Sequence, residues 1–267
     1  MLSQPPDVCF VMSTPPLLLG ASGSLLRLLR GVPFVYSVQD LYPDIAVHLG
    51  VLREGSVPTR AIDAFARACY RAAATVVTLS PGMADRLSAK GVAAERIQVI
   101  PNWADTSSVT PEPRDNAFAR EHGLCDRFVV QYSGNLGLSQ GLESVIEAAQ
   151  AVRDLPVTFA LVGDGNARAG LERAKHELRL DNVRFFPPQP RERLSELLSA
   201  SDVGLVTMKR VVGDDLVPSK LYGILAAGRP VLTAAATSSE VARVVRSHAC
   251  GWVVEPESST ALAQGVR

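Results

Sequence analysis

From residue 128 onward, short β-branched and aromatic runs alternate with stretches whose apolar residues recur every three or four positions. FVVQYSG (128–134) predicts a buried strand, followed by a helix from about Gly141 to Arg153. VTFALVG (157–163) predicts a second strand, and Ala167 to Leu180 a helix. VRFF (183–186) and VGLVT (203–207) predict two more strands, separated by a helix from Arg191 to Ala200. VLTAA (231–235) and GWVV (251–254) complete the set, with a helix from Glu240 to Ser247 between them. Strands and helices alternating through short loops predict a parallel sheet covered on both faces, a Rossmann-like unit.

The first hundred residues carry a second α/β pattern. VCFVM (8–12), FVYSV (34–38), TVVTL (75–79) and IQVI (97–100) predict strands, with the clearest helix from Arg60 to Ala73. SPGM (80–83) predicts a helix start, with Ser80 as cap and proline in the first turn. ADTSSVTPEPRDN (104–116) is polar and proline-rich and predicts a linker. The expected division is residues 1–105 for a first domain, 106–127 for the linker and entry, and 128–267 for a second domain. Two such units place a ligand cleft between the carboxyl ends of their sheets.

Composition narrows the choice of partner. In 267 residues, 27 basic and 27 acidic side chains cancel, which argues against bulk attraction to nucleic acid. Any anion site must therefore rest on a few placed groups. Cys9, Cys69, Cys125 and Cys250 are scattered and read as free thiols in a reducing compartment. The four histidines form no ligand-spaced cluster, so no protein-built metal site is expected. No segment is long and apolar enough to span a membrane and Met1 opens no signal-peptide pattern, so a cytoplasmic chain is expected.

The sharpest candidate chemistry lies in VPSKLYGILAAGRPV (217–231). Leu221, Ile224 and Leu225 recur at helical spacing, Gly228 is a natural stop, and Pro218 or Ser219 opens the helix. Lys220 then sits at a helix start, at a strand's carboxyl end, where backbone N–H groups and its ammonium suit an anion. YSGNLGLSQG (132–141) follows a strand with glycines that allow close approach to a phosphate, although its order is not the dinucleotide fingerprint. Alternatively it is only a tight turn. Gly163 and Asp164 end the second strand, either as a plain Asp-Gly turn or as a close backbone approach to a ligand. Phe186 and Pro187 end the third, either as a flat rim for a nucleobase or as a rigid connection. In the first unit, SVQDLYPD (37–44) brings Gln39, Asp40 and Asp44 to a strand end, with Asp40 as a base or as a turn cap.

Taken in order, SPGM, IQVIPNWAD, YSGNLGLSQGLE, LVGDG and VPSKLYGILAAGRPVL resemble the family 4 (group 1) glycosyltransferases. The branch they resemble is that of the colanic-acid and O-antigen sugar transferases, which VYSVQDLYPD (35–44) also matches. The resemblance implies a GT-B fold of two Rossmann-like doubly wound domains. It implies retaining, metal-independent transfer from a nucleotide-sugar donor, with no cofactor, to a lipid-linked or oligosaccharide acceptor. Lys220 and the Gly134–Gly141 loop would hold the diphosphate, with Asn135, Gln140, Gly163, Asp164, Phe186, Pro187, Ser219 and Leu221 around the donor. Asp40 is the expected catalytic carboxylate beside Lys220.

Three departures from the family stand out. The ribose-binding carboxylate expected on the Lys220 helix is Gly223, with Asp215 eight residues before it; Glu240 is the expected substitute. Asn135 and Gln140 replace basic loop residues, and Gln39 replaces a histidine. The first domain is expected to lack its opening strands, and the chain to stop short of the family's C-terminal helices. A non-catalytic donor-binding module is therefore the first alternative, and a nucleotide-sugar 2-epimerase a weaker one. An amphiphilic acceptor would suit LLLGASGSLLRLLR (17–30) lying on a membrane's inner face, with Arg27 and Arg30 at its rim. The competing reading is an ordinary helix packed on the sheet.

Overall fold

The computed structural model describes residue 4 and residues 6–15, 17–213 and 215–267, and the chain divides into two compact units. Unit 1 comprises residues 1–102 together with 214–217; unit 2 comprises 103–213 and 218–267.

In unit 1 the chain runs β1 (Cys9–Met12), α1 (Leu18–Arg30), β2 (Phe34–Ser37), α2 (Asp44–His48), α3 (Val57–Ala72), β3 (Thr75–Thr78), α4 (Pro81–Ala89) and β4 (Ile97–Val99). The four strands pair in chain order, all parallel. Phe34, Tyr36, Tyr70, Met83 and Leu87 fill the core. Helix α4 starts as the SPGM pattern predicts: Ser80 Oγ accepts the Met83 N–H at 3.1 Å, with Pro81 in the first turn. Helix α1 turns two glycines to the sheet. A Cβ on Gly20 would lie 2.7 Å from the Tyr36 hydroxyl, and one on Gly23 2.9 Å from the Phe34 ring. Only glycine allows that approach, and it leaves Leu18, Leu25, Leu28 and Leu29 facing outward. The helix thus packs on the sheet and keeps an apolar outer face. No described helix is long and apolar enough to cross a membrane.

Unit 2 runs α5 (Ala117–Glu121), β5 (Phe128–Ser133), α6 (Glu143–Ala151), β6 (Val157–Val162), α7 (Arg168–Glu177), β7 (Val183–Phe186), α8 (Leu194–Ser199), β8 (Val203–Thr207), α9 (Lys220–Ala226), β9 (Val231–Ala234), α10 (Glu240–Ser247), β10 (Gly251–Val254) and α11 (Ser259–Val266). The sheet order is β10-β9-β8-β5-β6-β7, all parallel. Helices cover both faces, and the buried strand residues feed two apolar clusters. The order reverses between β5 and β8, so the crevice at their carboxyl ends is where such a sheet binds ligands.

The stretch expected as a linker is instead built into unit 2. Thr110 N–H donates to Ser195 Oγ and Glu112 N–H to Ser199 Oγ, both at 3.0 Å, and Asn116 Nδ2 donates to the Glu196 carbonyl at 2.7 Å. Prolines 111 and 113 keep this segment extended, so its amides are satisfied by serines of α8 rather than by a helix of its own. Val109, Phe118 and Leu124 are buried in the same unit. A proline-rich polar composition suits a free linker and an extended strap equally. The structure also contains α2, α5 and α11, which the periodicity did not predict.

Candidate functional site

The carboxyl ends of β5 and β6 meet in a floor built of backbone. Gly134, at φ +138°, follows β5 and packs on Gly163, where a Cβ would fall 1.9 Å from the Gly134 carbonyl oxygen. Leu136 N–H donates to the Asp164 carbonyl at 2.8 Å, and Ala167 N–H to the Leu136 carbonyl at 2.9 Å. The two turns are thereby joined backbone to backbone. Asp164 spends its side chain within the turn, accepting the Gly165 N–H at 2.8 Å, so the plain Asp-Gly turn describes its carboxylate. The Asn135 amide is wedged between the positions where Gly137 and Gly165 would carry a Cβ, 2.9 and 2.5 Å from its atoms.

Lys220 reaches over this floor. Its Nζ donates to Gln140 Oε1 at 2.9 Å and to the Tyr132 hydroxyl, and lies 3.8 Å from the centroid of the Tyr132 ring. The Tyr132 hydroxyl itself donates to the Asn135 carbonyl at 2.7 Å, and burial holds its pKa well above the ordinary value. Both hydrogen-bond partners of Lys220 are therefore neutral, and no carboxylate among the described residues ion-pairs with it. Burial without a counter-charge lowers the ammonium to about 7. An ammonium has three protons to donate, and these two bonds leave the third for a ligand.

The other expected contacts fall into two groups. Gly134, Asn135, Gln140, Gly163 and Lys220 come together as the sequence suggests. Ser219 directly precedes α9 but makes no capping bond, and α9 has only seven residues, so the charge here is that of the lysine more than of a helix start. Leu221 is fully buried in the core and presents no side chain to a ligand. Phe186 is a correction to the proposed base rim. Its ring is 6% exposed and packs edge-on against Phe118, while its carbonyl accepts the Gly163 N–H at 3.1 Å. Pro187 beside it is exposed. Glu240 is also 6% exposed, and its carboxylate is taken by Arg243, with Nε to Oε2 at 2.8 Å. At Gly223 a Cβ would touch only Leu198, at 3.4 Å, so the missing side chain leaves room.

Three groups near the site were not singled out by sequence. Tyr132 supplies both the ring and the hydroxyl beneath Lys220. Arg168 donates to the Gly163 carbonyl at 2.6 Å and the Phe186 carbonyl at 3.3 Å, tying the ends of β6 and β7. Lys209 N–H donates to the Ser139 carbonyl at 2.9 Å, and its Cγ lies 3.4 Å from the Cβ position of Gly141. Only Tyr132 carried a signal, as the aromatic residue two places before the loop's first glycine.

In unit 1, Gln39 N–H donates to the buried Ser13 Oγ at 2.9 Å and its side chain to Ser37 Oγ at 3.0 Å. Asp40 follows, its carboxyl raised above the usual range by burial. Asp44 is not free for substrate. Burial pushes its pKa up, but Lys90 at 2.7 Å and Arg86 at 2.9 Å more than offset this and hold it low. Asp215 is fully buried, with one oxygen 2.8 Å from Arg86 and the other on His48. Asp214 lies outside the described residues.

Known proteins resemble this chain over most of its length. The glycosyl transferase 4-like domain matches residues 1–103, and the glycosyl transferases group 1 domain matches residues 115–267. Escherichia coli K12 WcaI, named provisionally as a colanic acid biosynthesis glycosyl transferase, is 35% identical over 264 residues, covering 96% of this chain and 65% of WcaI. Pseudomonas aeruginosa WbjE, named as a probable glycosyltransferase, is 31% identical over 252 residues, covering 94% of this chain and 63% of WbjE. The chain thus spans a little under two thirds of the length of these relatives. Among solved structures, Anabaena HepE in complex with UDP superposes with a TM-score of 0.77 at 19% identity, covering 97% of this chain and 68% of HepE. WaaG, a glycosyltransferase involved in lipopolysaccharide biosynthesis, superposes at 0.71 with 20% identity, covering 91% of this chain and 70% of WaaG. Two parallel-sheet α/β units with these neighbours are those of the GT-B fold. By the group 1 match over more than half its length, this chain belongs to the group 1 glycosyl transferases.

Proposed function

We propose that the protein is a glycosyltransferase of surface polysaccharide synthesis, taking a sugar from a nucleotide-sugar donor and passing it to a lipid-linked or oligosaccharide acceptor. The observation that carries this reading is the Lys220 ammonium, held by Tyr132 and Gln140 over the Gly134–Gly163 floor at the sheet's switch point. A donor diphosphate is the anion such a site accommodates. As the glycosidic bond breaks, negative charge grows on the departing nucleoside diphosphate, and a fixed cation there lowers the barrier. HepE, solved with UDP and with UDP-glucose, supports a nucleotide-sugar donor.

In this reading the transfer retains anomeric configuration and needs neither metal nor cofactor, with Lys220 supplying charge that a divalent ion supplies elsewhere. Asp40, with its raised carboxyl, acts on the acceptor side as the acid–base group. The ribose diol, without a carboxylate at position 223, is met by other groups of unit 2. The enzyme works in the cytoplasm, with the outward leucines of α1 and the neighbouring Arg27 and Arg30 resting on the inner membrane face.

The test is release of nucleoside diphosphate from UDP-, GDP- and dTDP-sugars, in EDTA, with lipid-linked and oligosaccharide acceptors from bacterial envelopes. Acceptor-dependent release, with retained configuration by proton NMR, is the expected result. Donor binding without release under every condition would replace this reading with that of a donor-binding module. Release abolished by EDTA and restored by magnesium would overturn metal independence.

A further inference from the structure

Residues 215–217 lie between β8 and α9 in the chain, yet they belong to unit 1. Three kinds of contact hold them there. Leu41 N–H donates to the Asp215 carbonyl at 3.0 Å, and Leu216 forms an antiparallel bridge with Asp40. Val217 is buried in the unit 1 core with Val38 and Leu41. The Asp215 side chain, 0% exposed, meets Arg86 of α4 at 2.8 Å and His48 of α2. Arg86 also binds Asp44 at the start of α2, at 2.9 Å.

The strap lies directly on the acidic turn that carries Asp40. Leu41 is its hinge point, since its N–H goes to the strap and its carbonyl accepts the Ile45 N–H at 3.0 Å to start α2. A buried carboxylate with one partner removed is strongly unfavourable, so Asp215 keeps its place only while Arg86 and His48 face it. Asp215 also stands at the first position of the acidic pair that the family resemblance expects, eight residues before position 223. Here both oxygens face side chains of unit 1: Oδ2 is hydrogen-bonded to His48, and Oδ1 is ion-paired with Arg86 without a hydrogen bond.

We propose that Asp215 is a positioning residue for Asp40: gripped by Arg86 and His48, it pins the strap 215–217 to the acidic turn and so fixes the orientation of that carboxylate. The catalytic meaning of this rests on Asp40 as the acid–base group. The latch itself is a statement about unit 1 alone.

Asp215→Asn in the full chain tests it by three readouts: carbon-13 NMR titration of Asp40, hydrogen exchange of the Leu41 amide, and calorimetry with UDP, GDP and dTDP. With the latch loosened, the Asp40 carboxyl falls back toward its ordinary range and Leu41 exchange rises at least tenfold. Affinity for whichever nucleotide the wild type binds stays within twofold. Unchanged Asp40 titration and Leu41 exchange would overturn the proposal. A tenfold loss of nucleotide affinity with both unchanged would make Asp215 a donor contact instead. Should that variant fail to fold, Arg86→Gln and His48→Gln must each shift Asp40 and Leu41 in the same direction, and their failure to do so would overturn it equally. These two readouts need neither donor nor acceptor, so they are independent of the glycosyl-transfer reading. That reading is tested separately by the activity of Asp40→Asn.

Discussion

Lys90 in unit 1 is buried and Lys220 in unit 2 is half-buried, and they differ in what meets them. Lys90 lies between two carboxylates, Asp44 at 2.7 Å and Asp63 at 2.8 Å, and the network extends through Arg86 and Arg67. Its charge is spent on the fold. Lys220 meets a tyrosine ring, a hydroxyl and an amide oxygen, all neutral. Its charge has no carboxylate partner among the described residues, so holding it costs stability. Burial alone therefore says little about a lysine's role; the charge balance of its neighbours separates a structural cation from a binding one.

The comparison breaks most sharply at Lys90. Lys90→Ala leaves Asp44 and Asp63 facing each other without their shared cation. It should destabilise the chain by about 3 kcal/mol, the lower end for a broken buried pair, because both carboxylates keep some contact with water. Urea denaturation checks this, and nucleotide affinity of the folded fraction should not change.

Lys220→Ala should do the reverse, weakening nucleotide-diphosphate binding by about 1.5–3 kcal/mol, tenfold or more, with stability kept. Its pH behaviour sharpens the point. The unfolded lysine titrates near 10.4, whereas in the fold it titrates at about 7. Between those values the unfolded chain holds the extra proton, so stability should rise with pH from about 7 to about 10. Lys220→Met should remove that slope from denaturation curves taken across the range. For a nucleotide-sugar donor, whose diphosphate charge is constant there, affinity should fall as pH rises above about 7. In Lys220→Arg it should stay flat.

Tyr132→Phe keeps the ring beneath the ammonium and deletes one acceptor. Calorimetry should show a loss of about 0.5–1.5 kcal/mol in donor binding, smaller than that of Lys220→Ala. An equal loss would mean that the hydroxyl, rather than the lysine, organises the site. The smallest effect concerns α1. Replacing Leu25, Leu28 and Leu29 by serine should leave nucleotide binding untouched and lower co-sedimentation with anionic phospholipid vesicles. Unchanged sedimentation would remove the membrane role from that face.

The alternation of apolar runs was enough to find every strand of unit 2, and β7, β8, α10 and β10 begin and end where the periodicity places them. Parallel strands buried on both faces leave continuous β-branched runs, which is why they read clearly. The meeting of Lys220 and the glycine loop was legible for a related reason: both follow strand ends. Its partners were not. Tyr132 and Lys220 stand 88 residues apart and meet only because β5 and β8 are neighbours, a register that periodicity does not reveal. Nor does the Phe185–Phe186 pair say which ring turns inward, because successive strand residues face opposite sides. Asp215 was hardest to read, since the segment carrying it packs with the unit at the other end of the sequence. Glu240 suits a ribose contact by position alone, but its carboxylate is taken by Arg243 one helical turn on.

The most direct test of the unspent charge on Lys220 is calorimetry of the wild type and Lys220→Ala with UDP, GDP and dTDP in EDTA. The account predicts that the wild type binds one of the three, with affinity unaffected by EDTA, and that Lys220→Ala loses at least tenfold. A folded wild type that binds none, or a Lys220→Ala variant that binds as well as wild type, would contradict it.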